Sequence, residues 1–229
     1  MPSENGQLPE FTAEEDCDFC VEWSGGLSDL FSKSSGASPE ARLIAEYGPL
    51  KVFPCLGEIV RGHLLIAPTY HTTSMFRLAA GDDHHLVLAI EEVRRVFSTH
   101  FGGAPVFFEH GDPTGSVPVY GQCVSHAHIH VMPRAVNMRP GLEEFRHLFS
   151  DSLLSPKQQP ETPYLLFIDE NLERHFFSAQ EAPRQFLRTL YSSLVGKPER
   201  AEWFRNIDTD VTMARAAEYR RILHNGVSI

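Results

Sequence analysis

The chain has 229 residues, of which 42% are hydrophobic and 22% are charged, and its formal net charge is −10. This length and composition are typical of a globular protein with a buried core. The negative charge argues against a nucleic-acid backbone or an anionic membrane as the main partner, but a small phosphorylated ligand can still bind in a locally positive pocket.

The N-terminal region contains two features, a polar lead-in and a cysteine pair. Residues 1–14 have no basic region followed by an apolar run, so they are predicted to be disordered rather than a signal peptide. No stretch has the length of a membrane-spanning helix, and the expected compartment is therefore the cytoplasm. Cys17 and Cys20 follow the lead-in. In a reducing compartment this spacing is interpreted as a metal-binding or redox pair. A redox pair would need a strand-to-helix context that is lacking here, whereas two such thiolates can bind one tetrahedral zinc together with histidines.

The first half of the chain predicts short strands and one long helix. Strands are predicted over residues 42–47, 50–56, 64–67 and 104–109. The helix is expected to begin at Asp82 or Asp83, either of which can cap it, and to end before Gly102. Its buried face is predicted to consist of Leu86, Ile90, Val93 and Phe97.

The C-terminal part also mixes helices and strands. A short helix is predicted over residues 142–149, strands over 164–168 and 174–177, a helix opening at residues 182–183, and a last helix over about 209–223. The helix that opens at residues 182–183 has a predicted apolar stripe, which consists of Phe186, Leu187, Leu190 and Leu194. Arg184, Arg188 and Arg205 could reach a ligand phosphate, but they are interpreted as solvated.

The most informative stretch is residues 125–134. His126, His128 and His130 alternate there with Ala127, Ile129 and Val131. Period-two alternation predicts a strand whose histidines share one face, about 6–7 Å apart, while the apolar residues face a core. An imidazole in such a row can be a nucleophile, a general acid, a phosphate donor or a metal ligand. The alternatives are a polar sheet face without function and a His-x-His zinc site.

Residues 126–132 resemble the motif of the histidine-triad (HIT) family, in which histidines alternate with apolar residues. The flanking Gly121-Gln122 and Pro133-Arg134, and the segment 62–71, resemble the family as well. The resemblance covers residues 15–135 and leaves an extension, residues 136–229, expected to pack on that domain. It implies a HIT-like α+β fold with a mainly antiparallel sheet and one long helix, plus a C-terminal α+β extension. Relatives are often dimers, so a homodimer is one expected assembly.

The resemblance also implies a metal site. In zinc-containing relatives, the metal is bound by a Cys-x-x-Cys pair, one histidine of the segment that corresponds to residues 62–71, and the first triad histidine. The implied ligands of this chain are Cys17, Cys20, His71 and His126, with His63 as the alternative to His71. Such a zinc would be structural, because four protein ligands leave no position for water.

The resemblance further implies a catalytic site for nucleotides. His128 would attack the α-phosphorus and form a nucleotidyl-histidine, and His130 would donate to a phosphate oxygen or protonate the leaving atom. Gln122 and Cys123 would contact phosphate, although a Cys123 thiol is a weaker donor than the serine usual there. His110 is expected to line the pocket, with a solvated loop histidine as the alternative.

Three functions follow from this resemblance. The first is a hydrolase of nucleoside phosphoramidates or dinucleoside polyphosphates, favoured by the third histidine, since the transferase branch usually has Gln there. The second is a nucleotidyltransferase or phosphorylase, favoured by the long extension. The third is a non-catalytic nucleotide sensor, which would not need His128. Residues 52–56 lack the carboxylate that holds the ribose hydroxyls in many relatives. A nucleotide or nucleotide conjugate is the expected partner, and neither a nucleic acid nor a membrane is.

Overall fold

A computed structural model describes residues 17–25, 29–115 and 126–226 of the chain. Eight strands form one sheet in which every neighbouring pair is antiparallel. In chain order they are β1 (Ala45–Tyr47), β2 (Leu50–Pro54), β3 (Leu64–Pro68), β4 (Val106–Gly111), β5 (Ile129–Met132), β6 (His147–Ser152), β7 (Tyr164–Ile168) and β8 (Glu173–Ser178). The spatial order is β1-β2-β3-β5-β4-β7-β8-β6. The last three strands of the chain therefore continue the sheet of the first five.

Six α-helices accompany the sheet in the described ranges. They are α1 (Asp18–Trp23), α2 (Leu30–Ser35), α3 (Asp83–Phe101), α4 (Arg139–Leu142), α5 (Phe186–Leu194) and α6 (Thr209–Gly226), and short 3₁₀ turns occupy Pro39–Ala41, Pro198–Arg200 and Trp203–Arg205. None of these helices combines the length and the apolar character that crossing a bilayer requires.

The two faces of the sheet pack against different helices. On β5, Ile129 and Val131 belong to a core that includes residues of α3 and α6, and this side is called the first face. Met132 belongs to a separate core with Leu187 and Tyr191 of α5. Because side chains alternate along a strand, His130 lies with Met132 on this second face. Phe19 of α1 packs on the second face as well, near β2 and β3. β5 thus has a side that faces the first core and a side that carries His130, as the alternation predicts.

The predicted fold class is confirmed, because one long helix lies against a mainly antiparallel sheet. The four predicted apolar residues of α3 are all buried, and Gly102 ends the helix in the left-handed conformation, with φ of 73°. Asp82 precedes α3 but makes no capping bond, since its carboxylate accepts from the Tyr70 hydroxyl at 3.0 Å. The strand predicted over 125–134 is shorter, Ile129–Met132.

The helix predicted over 142–149 is wrong. Leu142, Phe145 and Phe149 are spaced as on one helical face, but they pack on opposite faces of the sheet. Leu142 and Phe145 belong to the core of the second face, whereas Phe149 packs against the core of the first. Residues from His147 onward form β6, which pairs with β8 around an irregularity between His147 and Phe149. This irregularity removes the period-two signal by which a strand is recognised.

The predicted stripe of α5 is also wrong in part. Leu187 is buried as predicted, but Leu194 is 46% exposed, and the other large buried residues of this helix are Arg188 and Tyr191. The buried face is therefore rotated towards Arg188. The interpretation of Arg188 as a solvated residue is wrong, since only 4% of it is exposed.

A buried carboxyl group lies on β4 on the first face. Glu109 accepts from the Met75 amide at 2.8 Å and from the Tyr164 hydroxyl at 2.6 Å. Burial raises the pKa of Glu109 to about 8, although both hydrogen bonds act in the opposite direction. The folded protein therefore keeps this proton to a much higher pH than the unfolded chain does.

The Glu109 proton makes stability depend on pH. Above the unfolded pKa of about 4.5, the unfolded chain releases the proton while the folded protein keeps it up to pH of about 8. The free energy of unfolding should therefore fall through this window, by at most about 1.4 kcal/mol per pH unit. Urea unfolding of the parent and of Glu109→Gln between pH 5 and 8.5 checks this, because the difference cancels the other groups. Parallel pH curves for the two proteins would contradict it.

Candidate functional site

Two cysteines and two histidines converge at the edge of the second face. Cys17 Sγ lies 3.3 Å from His126 Nδ1, and Cys20 Sγ lies 3.5 Å from both His126 Nδ1 and His71 Nδ1. The four ligand atoms all lie within 4.8 Å of one another, so they could hold a metal ion. Bond lengths of 2.3 Å to sulfur and about 2.05 Å to nitrogen give about 3.6 Å between such ligands of a tetrahedral zinc. The spacing of these atoms therefore fits that ion.

The environment of His126 prepares it as a ligand. Its Nε2–H donates to the Pro68 carbonyl at 2.9 Å, which leaves the lone pair of Nδ1 directed at the two sulfurs. Burial lowers the pKa of His126 to about 3, and the Pro68 bond offsets this only in part. A neutral imidazole whose other nitrogen is held by a carbonyl is the form that binds metals.

The structure places His63 outside this cluster and next to His130, with His63 Nε2 at 2.8 Å from His130 Nδ1. The choice between the two histidines can be measured through bound zinc. We expect His71→Gln to lose the metal and His63→Gln to retain about one zinc per chain. Of these two histidines, it is His71 that has a nitrogen beside Cys20 Sγ. Metal analysis of both purified variants checks this. Metal loss in His63→Gln with retention in His71→Gln would reverse the assignment.

His128 lies on the second face with one nitrogen bound and the other available. Its Nδ1–H donates to the carbonyl of His126 at 2.8 Å, so Nε2 carries the lone pair. The side chain lines a cavity, which His130 lines as well. Burial lowers the pKa of His128, and the nearby Arg188 charge acts in the same direction. The ring is therefore neutral at pH 7, and a neutral imidazole with a free Nε2 can act as a nucleophile.

A chain of three hydrogen-bonding groups fixes the proton of His130. The Ile59 amide can only donate, and it lies 3.2 Å from His63 Nδ1, which must accept. His63 Nε2 therefore carries a proton and donates to His130 Nδ1. It follows that His130 Nε2 carries the remaining proton of that ring. Burial lowers the pKa of both histidines well below the usual value, so both rings stay neutral. His130 is thus a fixed hydrogen-bond donor beside His128, whose ring centre is 4.8 Å away.

The cavity has an apolar wall and a histidine wall. The apolar side chains are Phe19, Leu30, Phe31, Leu56, Leu65, Phe108, Phe186 and Leu187. His110 also lines the cavity, and burial lowers its pKa to about 4. The structure thus brings His110 to the place expected for a pocket residue. Gln122 and Cys123, predicted to contact phosphate, lie outside the described residues.

A buried ion pair closes the α1 side of the cavity. Arg42 Nε donates to Glu22 Oε1 at 2.5 Å, and Arg42 Nη2 pairs with Glu22 Oε2. The guanidinium of Arg42 lies 4.6 Å from the ring centre of Phe53. The Glu22 carboxylate and the Arg42 guanidinium therefore neutralise each other, and Arg42 is not available to a ligand phosphate. The sequence gives little sign of this pair, because the two residues are 20 positions apart.

The C-terminal part of the chain forms the opposite wall of the cavity. Gln185, Arg188 and Trp203 contribute to it, together with two apolar residues of α5. None of the three was predicted as a site residue. Arg188 was considered as a residue that could reach a phosphate, but nothing in the sequence showed that it is buried on α5.

Comparisons with known proteins find similarity only at the level of structure. No family model matches the chain, and no curated protein matches it. One similar crystal structure is a zinc-bound histidine triad family protein from Mycobacterium smegmatis, with 19% identity, a TM-score of 0.39, and coverage of 54% of this chain and 78% of that one. Another is a HIT-like protein involved in cell-cycle regulation from Bartonella henselae, with 14% identity, a TM-score of 0.35, and coverage of 48% and 82%. Both structures are of histidine-triad or HIT-like proteins, the family whose motif residues 126–132 of this chain resemble.

Proposed function

We propose that this protein transfers the nucleotidyl group of a nucleotide substrate to His128 and then to water or another acceptor. The observation that carries the proposal is the proton arrangement of His128 and His130 in one cavity. His128 offers a lone pair on Nε2, and His130 offers a proton on Nε2. A nucleophile beside a fixed donor is what displacement at phosphorus requires.

The chemistry divides into two displacements. In the first, His128 Nε2 attacks the α-phosphorus, a P–N bond forms, and the bond from phosphorus to the leaving atom breaks. His130 Nε2–H donates a hydrogen bond to the leaving atom, which departs with the electrons of the broken bond and takes its proton from water, and the His126 carbonyl stabilises the positive charge that His128 gains. In the second, water attacks phosphorus and the P–N bond breaks, which returns the lone pair to His128 Nε2, and the proton of water passes to solvent. Each step avoids a direct attack of water on the original substrate.

The metal in this proposal is a structural zinc held by Cys17, Cys20, His71 and His126. When bound, the ion supplies cross-linking rather than catalysis, since four protein ligands leave no open position. Its ligand His126 provides the carbonyl that holds His128. A metal bound by these four residues would therefore fix the backbone segment that carries His128, the proposed nucleophile. Thiolate ligands also fit a reducing compartment, in line with the proposed cytoplasmic location.

Hydrolysis and transfer can be separated by product analysis. The panel contains adenosine phosphoramidate, diadenosine polyphosphates and nucleotide sugars, each incubated with and without orthophosphate or a sugar phosphate. Nucleoside monophosphate formed without an added acceptor supports hydrolysis. Product formed only with an added acceptor supports transfer. Binding without product, equal in the parent and in a variant without His128, would contradict catalysis and favour a nucleotide sensor.

His63 should act on the reaction through His130. Replacing His63 by phenylalanine removes the donor to His130 Nδ1 and allows the His130 proton to move to that nitrogen. We expect kcat to fall by about 10-fold to 100-fold with little change in KM, because the affected proton is used in the chemical step. Steady-state kinetics checks this, with partial recovery in His63→Gln, whose amide can donate again. An increase in KM at unchanged kcat would contradict the role.

A further inference from the structure

A buried cation in the cavity lacks a carboxylate partner. Arg188 is 4% exposed and lines the same cavity as His128 and His130. Its guanidinium donates to the carbonyls of Ala201, Gly57 and Arg200 at 2.9, 2.8 and 3.1 Å and to Cys55 Sγ at 3.5 Å, but it forms no ion pair within the described ranges. Burying a charge without an opposite charge is costly, even when hydrogen bonds remain. The charge also lies at the first turn of α5, the end of a helix that attracts anions.

A hydrogen-bond acceptor next to Arg188 is also unsatisfied. Gln185 is 5% exposed and lines the cavity, and its Oε1 has no hydrogen-bond partner among the described residues. The orientation of the amide is fixed, because Nε2 donates to Glu202 Oε2 at 3.1 Å. Gln185 has a φ of 60°, in the left-handed region of backbone conformation that residues other than Gly rarely adopt. A strained backbone that holds an unpaired buried acceptor is typical of a binding site.

A donor completes the group. The indole Nε1 of Trp203 is buried without a partner in the described part of the chain, and Trp203 lines the cavity. Its backbone packs so closely on Gly57 that a Cβ at position 57 would lie 2.7 Å from the Trp203 Cα. The position of Trp203 is therefore set by the same segment that accepts from Arg188. A buried donor, a buried acceptor and a buried cation, all from residues 185–203, thus share the cavity of the two histidines.

We propose that the C-terminal extension forms a second anion subsite in this cavity. Arg188 binds a phosphate group of the substrate other than the one that His128 attacks. Gln185 Oε1 accepts from, and Trp203 Nε1 donates to, a hydroxyl-bearing group next to that phosphate. The substrate class is a nucleotide with two separate phosphate positions. The second phosphate can come from a polyphosphate chain or from a phosphorylated ribose. The position of the attacked phosphate rests on the proposed function, but the anion subsite does not.

A purely structural role for Arg188 is the competing explanation, because the side chain also joins α5 to the loops that accept its hydrogen bonds. Arg220 provides a matched control. It likewise donates to backbone carbonyls, at 2.9 Å to Leu43 and 3.2 Å to Ala41, and it does not line the cavity. A structural effect alone should affect Arg188→Gln and Arg220→Gln in the same way.

The test is calorimetric titration in a His128→Gly background, so that ligands are not consumed. The probes are AMP, ADP, adenosine 3′,5′-bisphosphate and, without any base, pyrophosphate. We expect ADP or the bisphosphate to bind at least tenfold more tightly than AMP, and the tighter of the two identifies the source of the second phosphate. Arg188→Gln should abolish this advantage while AMP binding changes less than threefold, and Arg220→Gln should retain it. Trp203→Phe, which removes the indole N–H and keeps a smaller aromatic ring, should reduce the advantage about threefold or more and serves if Arg188→Gln does not fold.

Each outcome decides the subsite separately from the catalytic proposal. Equal affinity for AMP and both diphosphorylated probes, or an advantage that survives Arg188→Gln, would overturn the subsite. If no adenine nucleotide binds, the proposed function fails for adenine substrates, and pyrophosphate decides the subsite. Binding of pyrophosphate that weakens at least tenfold in Arg188→Gln and not in Arg220→Gln supports it. No binding of pyrophosphate to the parent, together with no nucleotide binding, would overturn it.

Discussion

A His128→Gly variant should lose at least about 1,000-fold in turnover while it keeps its metal and its ligand affinity. The expected loss is large because His128 combines an Nε2 lone pair with a carbonyl that holds the opposite nitrogen. Rapid denaturation of the parent during turnover should also yield a nucleoside monophosphate adduct on the peptide that contains His128. Mass spectrometry of the parent and the variant measures this adduct directly.

Chemical rescue makes the His128 prediction specific. Glycine at position 128 leaves space for imidazole from solution, which can take the place of the lost ring. Added imidazole should therefore raise the activity of the variant and leave the parent unchanged. Near-normal turnover of the variant without imidazole would exclude His128 as the nucleophile. A loss that imidazole cannot restore, accompanied by a lower unfolding temperature, would point instead to a damaged fold.

Loss of the metal should lower the stability of the folded protein. Cys17→Ser removes one thiolate from a partly buried set of four candidate ligands, and we expect zinc affinity to fall more than about 100-fold. The unfolding temperature should fall by about 5 °C or more, because a bound ion would join α1 to the segment before β5. Metal analysis and calorimetry of parent and variant check both effects, as does removal of zinc from the parent with a chelator.

Cys55 supplies the control for this prediction. It is another buried free cysteine, 7% exposed, and it lies outside the four-residue cluster. Cys55→Ser should keep about one zinc per chain, and a chelator should destabilise it as much as the parent. Equal zinc content in Cys17→Ser and Cys55→Ser would contradict the assignment of the metal ligands.

The sequence predicted the central strand and its two chemically different sides well. Three histidines alternate with Ala127, Ile129 and Val131, and this pattern determines which side chains face the core. A shift of one residue would bury the imidazoles there. The convergence of Cys17 with His126 depended on the resemblance to a family rather than on pattern alone. Spacing within the chain indicates that two thiolates can share a metal, but it cannot show which distant histidines complete the site.

The wall formed by the C-terminal extension could not be predicted in the same way. Arg188 looks like a surface residue of an amphipathic helix, and its burial follows only from the way α5 packs on the second face. Gln185 and Trp203 carry no sequence signal, since their importance lies in hydrogen-bonding atoms that the fold leaves without partners. The error over residues 142–149 has a related cause, because a helix-like spacing arose from residues that pack on opposite faces of the sheet. These features depend on contacts between segments far apart in the chain.

The pairing of β4 with β7 has a consequence for self-association. An unpaired strand edge can form hydrogen bonds with a strand of another molecule, and the fraction of edges paired in this way rises with protein concentration. Here the edge of β4 that would otherwise face solvent is covered by residues 164–168 of the same polypeptide. A second copy could pair with β4 along this edge only by displacing β7. Because β7 belongs to the same chain as β4, its effective concentration at that edge is high. Dilution should therefore leave this part of the molecule intact, and any dimer must form through a different surface.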